Sequence, residues 1–173
     1  QNPIEQEGTY PLPEAQVDRF MFKLLVKYPD KASERLVLRQ NTTPSDLSKL
    51  KDVVSPEEIL DAQNVIQDIY VDEKVEDYVL KLIFATRDPQ DHGLNDLEGI
   101  IDFGASPRAT INLVRAAKAR AFTERRGYIT PEDIRYVGAD VLRHRVILTY
   151  EAEAEELTAD DIIQRLFEVI EVP

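Results

Sequence analysis

A mainly α-helical fold is predicted for this chain of 173 residues, with one strand and one short helix at its front. Three observations predict it. Ser/Thr-Pro pairs at Thr43, Ser55, Ser106 and Thr130 are helix starts, since a hydroxyl caps the free N–H groups and proline suits the first turn. Apolar residues then recur at three- and four-residue spacing. One compact apolar run, Met21-Phe22-Lys23-Leu24-Leu25-Val26, lacks that spacing and reads as a buried strand closed by Tyr28-Pro29-Asp30.

The elements follow in order. Residues 1–20 are irregular and proline-rich, and Pro13 suits the first position of a short helix running to about Arg19. Ser33 to Gln40 reads as a helix, and Thr43-Pro44-Ser45-Asp46 opens a short one. Ser55-Pro56-Glu57-Glu58 starts a helix with the stripe Ile59, Ala62, Ile66 and Ile69. The next segment carries Val75, Tyr78, Val79, Leu82 and Ile83. Asp88 to Phe103, with its prolines and glycines, reads as a loop with a little order. Ser106-Pro107 opens a long helix with the stripe Ile111, Val114, Ala117, Ala121 and Phe122. Thr130-Pro131-Glu132-Asp133 opens another, with Ile134, Val137, Val141 and Leu142. Glu151 to Glu156 reads as an acidic linker, and Thr158 caps a last helix with Ile162, Ile163, Leu166, Phe167 and Ile170.

Composition removes several function classes. A net charge of −12 opposes broad non-specific nucleic-acid binding, which needs a positive surface. With no cysteine there is no disulfide, thiolate zinc site or cysteine nucleophile. No apolar run is long enough for a membrane helix, and a cytoplasmic location is expected. His92 and His144 lack an evident ligand set, and surface or capping roles are expected for both. The basic residues Arg115, Lys118, Arg120, Arg125 and Arg126 share a helix with an alanine-rich stripe and no interleaved aromatics. They are expected to face acidic groups in the same unit or an adjoining subunit. Among the six glycines none is followed by lysine, so the chain carries no Walker A loop. Ile69-Tyr70-Val71-Asp72-Glu73 imitates a Walker B strand but continues a helical stripe, and reads as a helix–helix junction.

Arg108 departs from the pattern of the other helix starts. The Thr43, Ser55 and Thr130 starts carry an acid in the first turn, as the helix dipole favours, whereas Ser106-Pro107-Arg108 carries a cation. That costs a few tenths to about 1 kcal/mol unless an anion lies nearby. Read locally, Arg108 is either an anion clamp with the helix N-terminus or an exposed arginine paired with Asp102 or another acid. Read locally, Arg19 is a salt bridge to Glu14 or Asp18.

A family resemblance changes the weight of these readings. Gln1-Asn2-Pro3-Ile4-Glu5, Glu7 to Pro13 and Glu14 to Phe20 resemble the sensor 1 and arginine-finger stretch of MoxR-type AAA+ ATPases. Gly104 to Ala109 resembles their sensor 2 motif. Val71 to Val75, Ala85-Thr86-Arg87, Gly127 to Asp133 and Val141 to Arg145 resemble their lid, so the likeness spans about residues 1–148. It implies an AAA+ helical lid preceded by a remnant of the α/β nucleotide-binding core. The implied parts are the core remnant over 1–30, the lid over 31–150, and an acidic linker with a C-terminal helix over 151–173.

The resemblance also implies roles. Asn2 would sense the γ-phosphate, Arg19 would be the arginine finger acting across a subunit boundary, and Arg108 would contact the nucleotide phosphates. ATP and Mg²⁺ would serve the intact protein, with the phosphate loop and metal-binding strand upstream of residue 1. These 173 residues alone are then expected to bind no cofactor and to be inactive. The implied assembly is a homo-oligomeric ring, usually a hexamer, remodelling a client protein that often carries a von Willebrand factor A domain. Neither a nucleic acid nor a membrane is an expected partner. The rival reading is a free-standing helical interaction module without a nucleotide role.

Overall fold

Helix capping sets the frame. In the computed structural model, which describes residues 12–42 and 51–173, the helices are α1 Glu14–Val17, α2 Lys31–Asn41, α3 Pro56–Gln67, α4 Glu73–Arg87, α5 Pro107–Thr123, α6 Pro131–Leu142, α7 Tyr150–Ala154 and α8 Ala159–Val169. Ser55 and Glu58 form a reciprocal box at the start of α3, with Ser55 N–H donating to Glu58 Oε2 at 2.7 Å. Thr158 and Asp161 do the same for α8. Asp72 caps α4 through Lys74 N–H at 2.9 Å. The Ile69–Glu73 stretch is therefore the helix junction that its spacing suggested, and its acids start the next helix. The start expected at Thr43 lies outside the described residues.

The core is built from α4, α5, α6 and α8. Val75, Tyr78, Val79, Leu82 and Ile83 of α4 are buried, as are Ile134, Val137, Val141 and Leu142 of α6. Ile162, Ile163, Leu166 and Phe167 of α8 and the following Ile170 close the bundle. On α5 the seam is Ala109, Leu113, Ala116, Ala117 and Ala121. The expected stripe was turned slightly, because Ile111 is exposed and Leu113 faces the core. Small alanines there let α6 approach closely, and α5 with α6 makes the most extensive helix contact. On α3 no residue is buried, so its stripe packs only in part.

Gly138 has a packing reason. A Cβ at this position would lie 2.3 Å from Phe167 Cζ, so only glycine lets the α8 ring lie against α6.

Two expectations are corrected. Met21–Val26 is not a strand, and it is not buried: Val26 is 94% exposed and Leu24 is 64% exposed. A strand needs a neighbour for its N–H and C=O groups, and no described segment pairs with it as one. The strands that do form are β1 Ile101–Phe103 and β2 Ile147–Leu148, antiparallel, with Ile101 opposite Leu148. Each was too short to leave a periodic signal. The stretch read as an acidic linker begins with helix α7, because the Thr149 hydroxyl caps it by accepting from Ala152 N–H. The loop over 88–103 holds two 3-10 turns, Pro89–His92 and Asn95–Leu97, before β1.

Replacing Gly138 with Ala should destabilise the chain by about 1–3 kcal/mol, since Phe167 must leave its rotamer or α8 must shift. Urea unfolding of the two proteins, compared at equal slope, measures it.

Candidate functional site

The loop over 104–106, which leads into α5, is stitched to the end of α4. Thr86 is wholly buried, and its hydroxyl donates to Ile83 O at 2.6 Å and accepts from Ala105 N–H at 2.9 Å. Arg87 Nε donates to Ala105 O at 2.9 Å. Gly104 is required by closeness: a Cβ there would lie 2.5 Å from Thr86 O. These contacts fix the entry of α5, and Ser106 caps it by accepting from Arg108 N–H at 3.2 Å. Arg108 is thus held on the first turn, with its side chain 60% exposed.

The anion that offsets this cation is Asp18, ninety positions earlier, rather than Asp102. Arg108 Nη1 lies 3.0 Å from Asp18 Oδ2. Ser106 Oγ donates to Asp18 Oδ1 at 2.9 Å, and Arg145 Nε donates to the same oxygen at 3.1 Å. One carboxylate therefore joins the N-terminal segment to the start of α5 and to the end of α6. Among the described residues, the ion pairs of Asp18 are with Arg108 and Arg145, not with Arg19. The Arg19 guanidinium instead lies over the Phe20 ring, 5.3 Å from its centre, and the residue is exposed. Asn2 lies outside the described residues.

Arg145 is the fastener. Its side chain has no exposed surface, yet it carries a charge. Beyond Asp18 it donates to Asp18 O at 2.7 Å, to Met21 O at 3.2 Å, and to the carbonyls of Phe20 and Val141. A planar guanidinium with five donors is suited to gather so many acceptors. His144 adds a bond between its Nε2–H and Phe20 O at 3.0 Å. Surface or capping roles were expected for His144, but it is buried, because the chain over 18–23 covers it. Arg143 completes the junction: it donates to Lys23 O at 2.5 Å and pairs with Asp160 at 2.9 Å and with Asp140. Lys23 N–H donates to Asp140 O at 2.9 Å.

Burial works to raise the Asp18 carboxyl, but hydrogen bonds from Ser106, Arg108 and Arg145 outweigh it and hold the group below the ordinary aspartate range. Burial lowers His144 below the ordinary histidine value, and the charges of Arg145 and Lys23 push the same way. Asp133 is also held low: burial opposes, while Arg126 and Thr130 hydrogen bonds prevail. Arg126 grips Asp133 with both terminal nitrogens, at 2.8 and 2.6 Å, and Arg120 Nε lies 3.3 Å away. Two of the basic residues near the end of α5 thus meet an acid of the same unit. Lys118 donates to Gln67 O. Among the described residues, no group of three or more His, Asp and Glu side chains is placed to hold a metal ion. Nor is any helix there long and apolar enough to cross a membrane.

Sequence reasoning singled out Arg108 and Arg19 as candidates but missed Asp18 and Arg145 as a pair. The available signal was the Arg143-His144-Arg145 cluster, three basic residues side by side in an acidic chain.

Arg145→Met removes a buried donor set and leaves Asp18 with one partner fewer. The 17–23 segment should detach while the bundle keeps its fold, because a local opening costs less than global unfolding. Tryptic cleavage after Arg19 or Lys23 should accelerate at least about tenfold, with little change in the urea midpoint. A second outcome concerns pH. A histidine whose folded pKa is lowered contributes stability that is whole above the unfolded value of about 6.5 and drains away as pH falls below it. The urea midpoint should therefore fall between pH 7 and pH 5, and His144→Gln should flatten that slope. Asp18 acts in a lower window: its contribution is present above the unfolded value of 3.8 and is lost as pH falls through its lower folded value.

Residues 97–166 match the AAA lid domain family, and residues 1–22 match the family described as ATPases associated with various cellular activities. The chain is 42% identical to the chaperone MoxR1 of Mycobacterium tuberculosis, covering 100% of this chain and 45% of that protein. It is 35% identical to the uncharacterized protein YeaC of Bacillus subtilis, covering 100% and 51%. The protein MoxR of Methylorubrum extorquens is 33% identical over 99% and 53%. A crystal structure from Cytophaga hutchinsonii, described as a "putative ATPase", superposes with a TM-score of 0.95 at 46% identity, covering 100% of this chain and 52% of that one. The chain thus spans about half the length of the relatives it matches. With residues 97–166 matching the AAA lid domain and similarity to MoxR proteins along its whole length, the chain belongs to the MoxR-type AAA+ family.

Proposed function

We propose that the chain is the sensing and lid portion of a MoxR-type ATPase that couples ATP binding and hydrolysis to remodelling of a client protein. One observation carries this reading. The segment bearing Arg19 and the helix start bearing Arg108 are joined through one carboxylate, Asp18, itself anchored by the buried Arg145. Such a junction suits a device in which the state of one nucleotide must be felt at two places. Arg108 presents an exposed guanidinium at the positive, N-terminal end of a 17-residue helix, which is a favourable setting for phosphate oxygens. Arg19, next to Asp18 in the chain, is exposed, lies over the Phe20 ring rather than on Asp18, and is available to a neighbouring subunit.

In the intact protein Arg108 acts on the nucleotide of its own chain. Arg19 acts on the γ-phosphate held by the next subunit, stabilising charge that develops only during transfer. Asn2 orients the attacking water. The phosphate loop and the acid that holds Mg²⁺ come from outside these 173 residues, so they do not hydrolyse ATP by themselves. The working form is a cytoplasmic homo-oligomeric ring, taken as a hexamer. Its client is a partner protein for which a von Willebrand factor A domain is a candidate.

In the full-length protein Arg108→Ala should weaken ATP binding. Arg19→Ala should leave binding nearly intact and lower the maximal rate by about 10²-fold or more. Mixing Arg19→Ala subunits with subunits lacking a working phosphate loop should restore turnover at mixed interfaces. Mixed rings that assemble normally and remain inactive would remove the assignment of Arg19 to the neighbouring site.

A further inference from the structure

Asp18 has two cationic partners of opposite character. Arg145 is completely buried and also holds backbone carbonyls of residues 18, 20, 21 and 141, so it cannot leave without opening the junction. The Arg108 side chain is 60% exposed, and among the described residues its guanidinium pairs with Asp18 through one nitrogen. If Arg108 leaves, Ser106 and Arg145 still satisfy the carboxylate, so no buried charge is stranded. An exposed single-nitrogen ion pair holds its partner weakly. A phosphate group offers a guanidinium two oxygens in the geometry of its fork, and more charge than one carboxylate oxygen. The partner Arg108 has in this structure is therefore exchangeable, whereas that of Arg145 is fixed.

Position in the chain gives the exchange a consequence. Asp18 is joined by one peptide bond to Arg19, and Arg145 grips the backbone on both sides of Arg19, at Asp18 O and Phe20 O. A change in the load on the Asp18 carboxylate is delivered to the backbone that aims Arg19.

We propose that Asp18 is a positioning residue that parks Arg108 while the site is empty, yields it to the phosphates of bound ATP, and so links the nucleotide sensed by Arg108 to the setting of Arg19. This rests on the roles proposed above for Arg108 and Arg19. Asp18 contacts no nucleotide in this scheme; it acts through the two arginines.

The test is a double-mutant cycle in the full-length protein with a fluorescent ATP analogue as probe. Asp18→Asn keeps the size of the side chain and can still accept from Ser106 and Arg145, but competes poorly for Arg108. It should lower the Kd for the analogue by roughly two- to fivefold, the size of an exposed ion pair. In an Arg108→Ala background the same change should leave Kd unmoved, because there is nothing left to release. A merely structural role for Asp18 predicts weaker binding in both backgrounds, and a simple field effect predicts equal tightening in both; either result overturns the proposal. A readout on the unmutated protein keeps the test open if Asp18→Asn does not fold. Saturation with the analogue should change amide exchange across residues 17–23, and should not do so in Arg108→Ala. Unchanged exchange in the unmutated protein defeats the link to Arg19. Failure of the underlying reading looks different: Arg108→Ala would then bind the analogue as tightly as the unmutated protein.

Discussion

The salt bridge between Asp18 and Arg145 is the interaction on which the rest of this structure depends. A wholly buried guanidinium is costly to desolvate, and the cost is met here by gathering a carboxylate and several main-chain carbonyls on one planar group. The same act fixes the path of residues 18–21, which carry few buried side chains and would otherwise have little reason to rest on the bundle. With that path fixed, Asp18 reaches Ser106 and Arg108, and His144 finds Phe20 O. Removing the bridge would leave the helices packed but would release the segment that carries Asp18 from the start of α5.

Charge in this protein is spent locally. The chain is strongly acidic overall, yet its arginines are concentrated where helix ends meet. Arg126 and Arg120 converge on the buried Asp133 at the start of α6, Arg143 ties α6 to Asp160 at the start of α8, and Arg165 reaches Asp96. Acids at helix N-termini are favoured by the macrodipole, and Asp133 and Asp160 also receive a cation from another segment. The basic residues of α5, which by composition hint at a polyanion surface, are in this way partly consumed inside the fold.

Much of the exposed apolar surface lies outside the bundle. Leu24, Leu25 and Val26, together with Leu36, Val37 and Leu38 of α2, face solvent, while the side chains of α4, α6 and α8 fill a dense interior. Glycine marks the tightest points of that interior, at Gly104 against the Thr86 carbonyl and at Gly138 under the Phe167 ring. One glycine opens the loop that presents Arg108, and the other sets the distance between α6 and the C-terminal helix.

Local chemistry was legible in the sequence. The starts of α3, α5, α6 and α8 follow from a hydroxyl cap and, in three of them, a proline, because these act within a single turn. The buried faces of α4, α6 and α8 follow from spacing alone, since a helix of known phase shows one side to its neighbours. The misplaced cation at Arg108 was visible for the same reason. What only the tertiary structure decided were the partners: that the anion beside Arg108 is Asp18, that Arg145 is buried and His144 covered, and that Met21–Val26 joins no sheet. A carboxylate and a guanidinium 127 positions apart leave no periodic trace. An apolar run likewise specifies a wish to be covered, not what covers it. Caps and stripes are decided by neighbours along the chain, whereas ion pairs and strand partners are decided by which surfaces the finished packing brings together.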